Sequence, residues 1–174
     1  SAMEIDPTFV GASISLADLE RATGDEARAE AILRAALAAN PRSGPVVHAL
    51  GLSLVRQKRP DEAMALLERA RELAPDVSRY SYVLAVALHD RGKAREAIAV
   101  LKGALGSHPY DREILMALVT YEIQSGNLAE ALQHGDPLVG LEPASPILER
   151  TVCTSELALD VLLAEAAAGG DRDL

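Results

Sequence analysis

At 174 residues and 49% apolar content, the chain is long enough for one ordinary core or a short array of repeats, and too apolar for a disordered polymer. Aromatic residues make up only 3%, with no Trp and one Phe, so the interior has to be built from Ala, Leu, Val and Ile, which suits packed helices better than a sheet sandwich. Twenty-six acidic against seventeen basic residues give a formal charge of −9, which argues against nucleic acid or an anionic membrane as a nonspecific partner.

Cys153 is the only cysteine, so neither an internal disulfide nor a thiolate metal cage is available. No stretch reaches the roughly 18 uninterrupted apolar residues of a membrane span, and no basic region followed by an apolar run opens the chain. Insertion into a membrane is not expected. The compartment stays open between cytoplasm and periplasm.

Taken in order, Ser1-Ala2-Met3 reads as a cloning remnant and Ile5-Asp6-Pro7 as the tail of a preceding repeat, so residues 1–9 fall outside the first full unit. From there Pro7, Pro41, Pro75, Pro109 and Pro143 recur every 34 residues. Each disfavours α conformation at the residue before it and so ends a helix. With proline at position thirty-two, the units are 10–43, 44–77, 78–111 and 112–145. Position seven then reads Leu16, Leu50, Leu84, Leu118; position eight reads Ala17, Gly51, Ala85, Val119; position twenty reads Ala29, Ala63, Ala97, Ala131. Small side chains therefore recur where two helices must approach closely.

Within each unit, apolar residues at three- and four-residue steps predict two helices, as in Val46-Val47-Leu50-Leu54 and Ala63-Leu66-Leu67-Ala70. Gly24-Asp25, Gly92-Lys93 and Gly126-Asn127 mark the turn between them, and Lys58-Arg59-Pro60 replaces it in the second unit. In the fourth unit Gly135-Asp136-Pro137 falls inside the second helix. A proline there removes a hydrogen bond at a cost of about 3 kcal/mol, so a break is expected, with Asp136 capping a restarted helix. From Ser145-Pro146 a last helix is expected to about Ala168, ended by Gly169-Gly170, in a capping segment 146–174. Its stripe Leu148, Val152, Leu159, Leu162, Leu163 leaves Ile147, Leu157 and Val161 over, which predicts wrapping on the last repeat or self-association through this helix.

A 34-residue helical hairpin with Leu at seven, a small residue at eight, Ala at twenty and Pro at thirty-two resembles the tetratricopeptide repeat family over residues 5 to about 145. The resemblance implies an all-α fold, a right-handed α-α superhelix of about four hairpins plus the C-terminal helix. It departs from the family at position four, where no bulky aromatic stands, and at position eleven, where Glu20 and Glu122 occupy the outer units. A fainter likeness is to repeat segments attached to bacterial multihaem cytochromes. No Cys-x-x-Cys-His occurs, so no haem or other cofactor is expected.

In this family first helices line a concave groove, and positions two, five, nine and twelve point into it. The columns give Ile14, His48, Tyr82 and Met116 at five; Leu52 and Val86 at nine; Val55, His89 and Ile123 at twelve; Arg79 at two and Arg56 at thirteen complete the expected contact set. Such a surface fits an apolar or amphipathic protein segment carrying one or two carboxylates. The Lys and Asn with which chaperone-binding members hold C-terminal carboxylates are missing at positions five and nine.

No catalytic or metal site is expected. His48 and His89 fall on adjacent units about two turns out of level, and His108 and His134 fall elsewhere. Asp25-Glu26 and Asp61-Glu62 open second helices, where negative charge complements the helix dipole. A protein-binding adaptor is the leading expectation. A self-associating spacer, or a regulatory segment of a larger enzyme or multihaem protein, is the alternative.

Overall fold

The structure is a computed structural model that describes residues 7–141, with side chains described for residues 10–138. Eight α-helices follow one another: α1 (Pro7–Ala22), α2 (Glu26–Ala39), α3 (Gly44–Arg56), α4 (Pro60–Leu73), α5 (Ser78–Asp90), α6 (Ala94–Leu105), α7 (Arg112–Gln124) and α8 (Leu128–Leu141). The chain is an all-α helical repeat of the solenoid class. It divides into two compact units, Ser1–Val100 and Leu101–Leu174, the division falling inside α6. The expected C-terminal helix, with Leu157 and Val161, lies outside the described residues.

One turn is built four times. Gly24, Lys58, Gly92 and Gly126 all take a left-handed backbone, with φ of 90, 58, 75 and 79°. The amide of the next residue then donates back to the first helix: Asp25 to Glu20, Arg59 to Leu54, Lys93 to Leu88 and Asn127 to Glu122, at 2.8–3.0 Å. These bonds satisfy carbonyls that a helix end would otherwise leave bare. The prolines act at the other end of the hairpin. Asn40 and Ala74, which precede Pro41 and Pro75, have left helical conformation at φ −134 and −146°. Side-chain caps start the next helices: Asp25 accepts from the Arg28 amide, Ser43 from Val46 and Asp111 from Ile114.

The small columns are buried where helices cross. Ala29, Ala63, Ala97 and Ala131 are all buried, as are Ala17, Ala85 and Val119. At Gly51 the reason is steric, since an added Cβ would lie 2.9 Å from Leu67 Cδ2. In the first unit, Ala17, Ala29 and Leu33 pack with Leu50, Leu54 and Ala63, and Val47 and Ala70 pack with Tyr80. In the second unit, Leu115, Val119 and Leu138 form the core, with Leu105, Met116 and Ile123 against it.

Two expectations are revised. Position seven is buried at Leu50, Leu84 and Leu118, yet Leu16 is 46% exposed. Leu50 is covered by the preceding hairpin, whereas among the described residues no helix precedes α1. The break expected at Gly135-Asp136-Pro137 does not form, and α8 runs through Pro137 to Leu141. The next residue, Leu138, is buried against Leu115 and Val119, and that burial offsets the hydrogen bond lost at the proline.

Candidate functional site

Within the first unit, α1, α2 and α3 surround an open cavity of about 260 Å³. Its walls are aliphatic: Ile14 and Ala17 from α1, Leu33 from α2, Ala49 and Leu52 from α3. One helical face supplies each set, because steps of three and four residues return to the same side. At the rim, Arg56 reaches Glu26 of α2 at 3.6 Å, and Asp18 reaches Arg21 along α1 at 3.5 Å. The charges at the rim are thus paired within the protein.

The far wall is aromatic. His48 stacks on Tyr80 of α5 with ring centroids 4.5 Å apart and planes 27° from parallel. Burial pushes His48 down from 6.5 to about 4, with the Arg79 guanidinium adding to it, so the imidazole is neutral at physiological pH. Its Nε2 is buried and has no hydrogen-bond partner among the described residues. Burial, aided by Asp76, raises the Tyr80 phenol.

Within the first unit the expected contact residues divide between this cavity, a second one and the surface of α5. Ile14, His48, Leu52 and Arg56 line this cavity. Val55 does not; it is 41% exposed and belongs to a separate cavity at the turn edge between α3, α4 and α5. On α5, Tyr82, Val86 and His89 are half-buried, and the Arg79 guanidinium lies 5.6 Å from the Tyr82 ring centroid in a cation–π contact. Met116 and Ile123 pack on the core of the second unit. Tyr80 was not among the expected contacts. Its column, with the buried Val46 and Ile114, marks it as a core position, and the His48 stack carries it to the cavity edge.

A second polar feature lies in the second unit, where position eleven holds Glu122 at 0% exposure. His134 Nδ1 of α8 lies 2.7 Å from its Oε2, and Lys102 Nζ of α6 lies 2.8 Å from its Oε1 as an ion pair. The same position holds the buried Leu54 and Leu88 in the second and third repeats and Glu20 in the first. Among the described residues, no three His, Cys, Asp or Glu side chains gather in a metal-binding group.

The family model for the tetratricopeptide repeat matches residues 48–112 and 90–146. This chain belongs to the tetratricopeptide repeat family. Among curated relatives, protein FlbA of Caulobacter vibrioides is 34% identical over 128 residues, 74% of this chain and 22% of FlbA. The peroxisomal targeting signal receptor of Eremothecium gossypii is 31% identical over 154 residues, 88% of this chain and 26% of the receptor. This tetratricopeptide chain spans about a quarter of the length of these relatives. Among solved structures, a MamA of AMB-1 is 30% identical, with a TM-score of 0.64 over 86% of this chain and 78% of that one. YrrB, described as a tetratricopeptide protein with an unusual peptide-binding site, shares the fold at 19% identity, with a TM-score of 0.68 over 85% of this chain and 76% of that one.

Proposed function

We propose that this tetratricopeptide chain is a scaffold that holds an apolar or amphipathic segment of another protein against its first-helix face, and that it does no chemistry of its own. The cavity of about 260 Å³ with aliphatic walls carries the reading. It is concave, preformed, and large enough for an anchoring side chain, as binding clefts for peptide side chains are. With Arg56 and Asp18 already paired and His48 neutral, apolar fit rather than charge is the main source of affinity there. The same lining favours binding over catalysis, because its imidazole is held uncharged and unavailable as an acid at neutral pH. The comparisons run the same way: YrrB is described by a peptide-binding site, and three of the longer relatives are peroxisomal targeting signal receptors. Their greater length supports a role for this segment as the recognition part of a larger protein.

The test is selection of peptides from a phage-displayed random library on the full chain, followed by titration of the best binder. Ile14→Asp combined with Leu52→Asp should weaken it at least tenfold while helical circular dichroism persists, and Tyr110→Ser, at an exposed position outside the cavity lining, should leave it alone. Equal affinity of the folded double variant would remove the groove from the account.

A further inference from the structure

The separate cavity at the turn edge holds about 330 Å³ and shares no lining residue with the groove. Its walls are Val55, Ala63, Met64 and Ala87. One repeat earlier, the columns of Val55, Met64 and Ala87 hold Arg21, Glu30 and Ser53. There Glu30 accepts from Arg34 and Arg59, at 2.7 and 2.8 Å, and closes that edge with ion pairs. The edge between the second and third repeats has lost the acid of that network. Aliphatic wall stands in its place.

The rim carries two further observations. Lys58 holds φ of 58° where the other three turns use glycine, a conformation that an L side chain adopts only against strain. Glycine would relieve that strain, yet here the turn puts an exposed lysine into the lining of a largely apolar cavity. Among the described residues Lys58 forms no ion pair, and neither does Asp90, which also lines the cavity. Arg91 on the same rim is held by Asp61 at 2.7 Å. The mouth therefore offers one uncommitted cation and one uncommitted anion around an apolar floor.

The geometry points to a second docking site, separate from the groove, for a protein segment that inserts one aliphatic side chain here and brings a carboxylate to Lys58 and a cation to Asp90. Opposite charges flanking the anchor are what the two unpaired rim groups select. Val55, exposed on the surface, is the part of the wall that such a side chain covers.

Met64 is one of only three methionines, so its methyl signal reports on this cavity in the intact chain. The probes are the tripeptides Ac-Glu-Leu-Lys-NH2 and Ac-Gln-Leu-Gln-NH2, titrated against methyl-labelled protein. The expected result is a saturable shift of the Met64 methyl by both, at least threefold tighter for the charged one. Val55→Asp should abolish both shifts. Lys58→Gly, which places the usual turn residue there and so keeps the fold, should weaken the charged probe at least twofold and leave the neutral one unchanged. A Met64 signal unmoved at millimolar probe, or a response equal in Val55→Asp, overturns the proposal. So does equal affinity of the two probes for the unmodified chain. A Met64 shift that grows with protein concentration alone, with no probe present, assigns the cavity to a second copy instead, and overturns it too.

Discussion

His48 is held uncharged by its surroundings, and that ties folding to pH. An unfolded histidine titrates near 6.5 and the folded one near 4, so between these values the unfolded chain binds more protons. Stability is therefore full above about 6.5 and declines as pH falls toward 4. In His48→Phe the ring still stacks on Tyr80 without a titrating nitrogen. Urea midpoints at pH 7 and pH 5 should show the loss on acidification reduced by about 1–2 kcal/mol, allowing for the solvent that reaches the ring. An identical pH slope in the variant would mean that the imidazole takes up a proton as readily in the folded chain as in the unfolded one.

Glu122 is a fully buried carboxylate, at a position that holds leucine in the second and third repeats, kept in place by Lys102 and His134. Buried pairs of this kind resist loss of one partner far more than replacement by an apolar side chain. His134→Ala strands a carboxylate oxygen and is expected to cost about 2–4 kcal/mol. Glu122→Leu restores the residue found at Leu54 and Leu88, and should stay within about 1 kcal/mol of the unmodified chain in denaturant unfolding. A Glu122→Leu penalty as large as that of His134→Ala would show that the carboxylate does more than fill its place.

At the level of helices and turns, most of the architecture is legible in the sequence because its cause is local. A proline every 34 residues, glycine at three of the four turns and alanine at position twenty act on backbone and packing within one hairpin. What escapes has a long-range cause. The Glu122–His134 pair joins residues twelve apart on different helices, and nothing in either helix alone reveals it. Val55 and Arg56 differ by one step, about 100° of helix rotation, and that step sends one to the turn edge and the other to the groove. Leu16 keeps the column residue, but among the described residues no helix covers it. Pro137 reads as a breaker, but the burial of Leu138 outweighs it.

Packing at the helix crossings also separates two glycines that look alike in sequence. In Gly51→Ala the new Cβ meets Leu67 at 2.9 Å, so a loss of about 1–3 kcal/mol is expected. Gly11 lies in α1 with nothing within 4 Å of such a Cβ, and alanine there should add about 0.5–1 kcal/mol. Thermal unfolding of the two variants should move in opposite directions. A stabilising Gly51→Ala would mean that α3 and α4 can part without cost.

At the scale of the molecule, repeats of this kind present apolar surface at low cost in specific chemistry. Hairpins whose crossings are filled by alanine and leucine leave the remaining first-helix positions free to be shaped for a partner. In the first unit that shaping yields an open cavity bounded by paired charges and a neutral aromatic stack. The net charge of −9 keeps acidic partners at a distance at low ionic strength, so affinity for a carboxylate-bearing segment should improve with added salt before it levels off.

Intermolecular nuclear Overhauser effects between a selected peptide and methyl-labelled protein test this view most directly. The account predicts contacts from one apolar peptide side chain to the methyls of Ile14, Ala49 and Leu52, with the His48 ring nearby. A peptide that binds with comparable affinity while touching none of these methyls would contradict it.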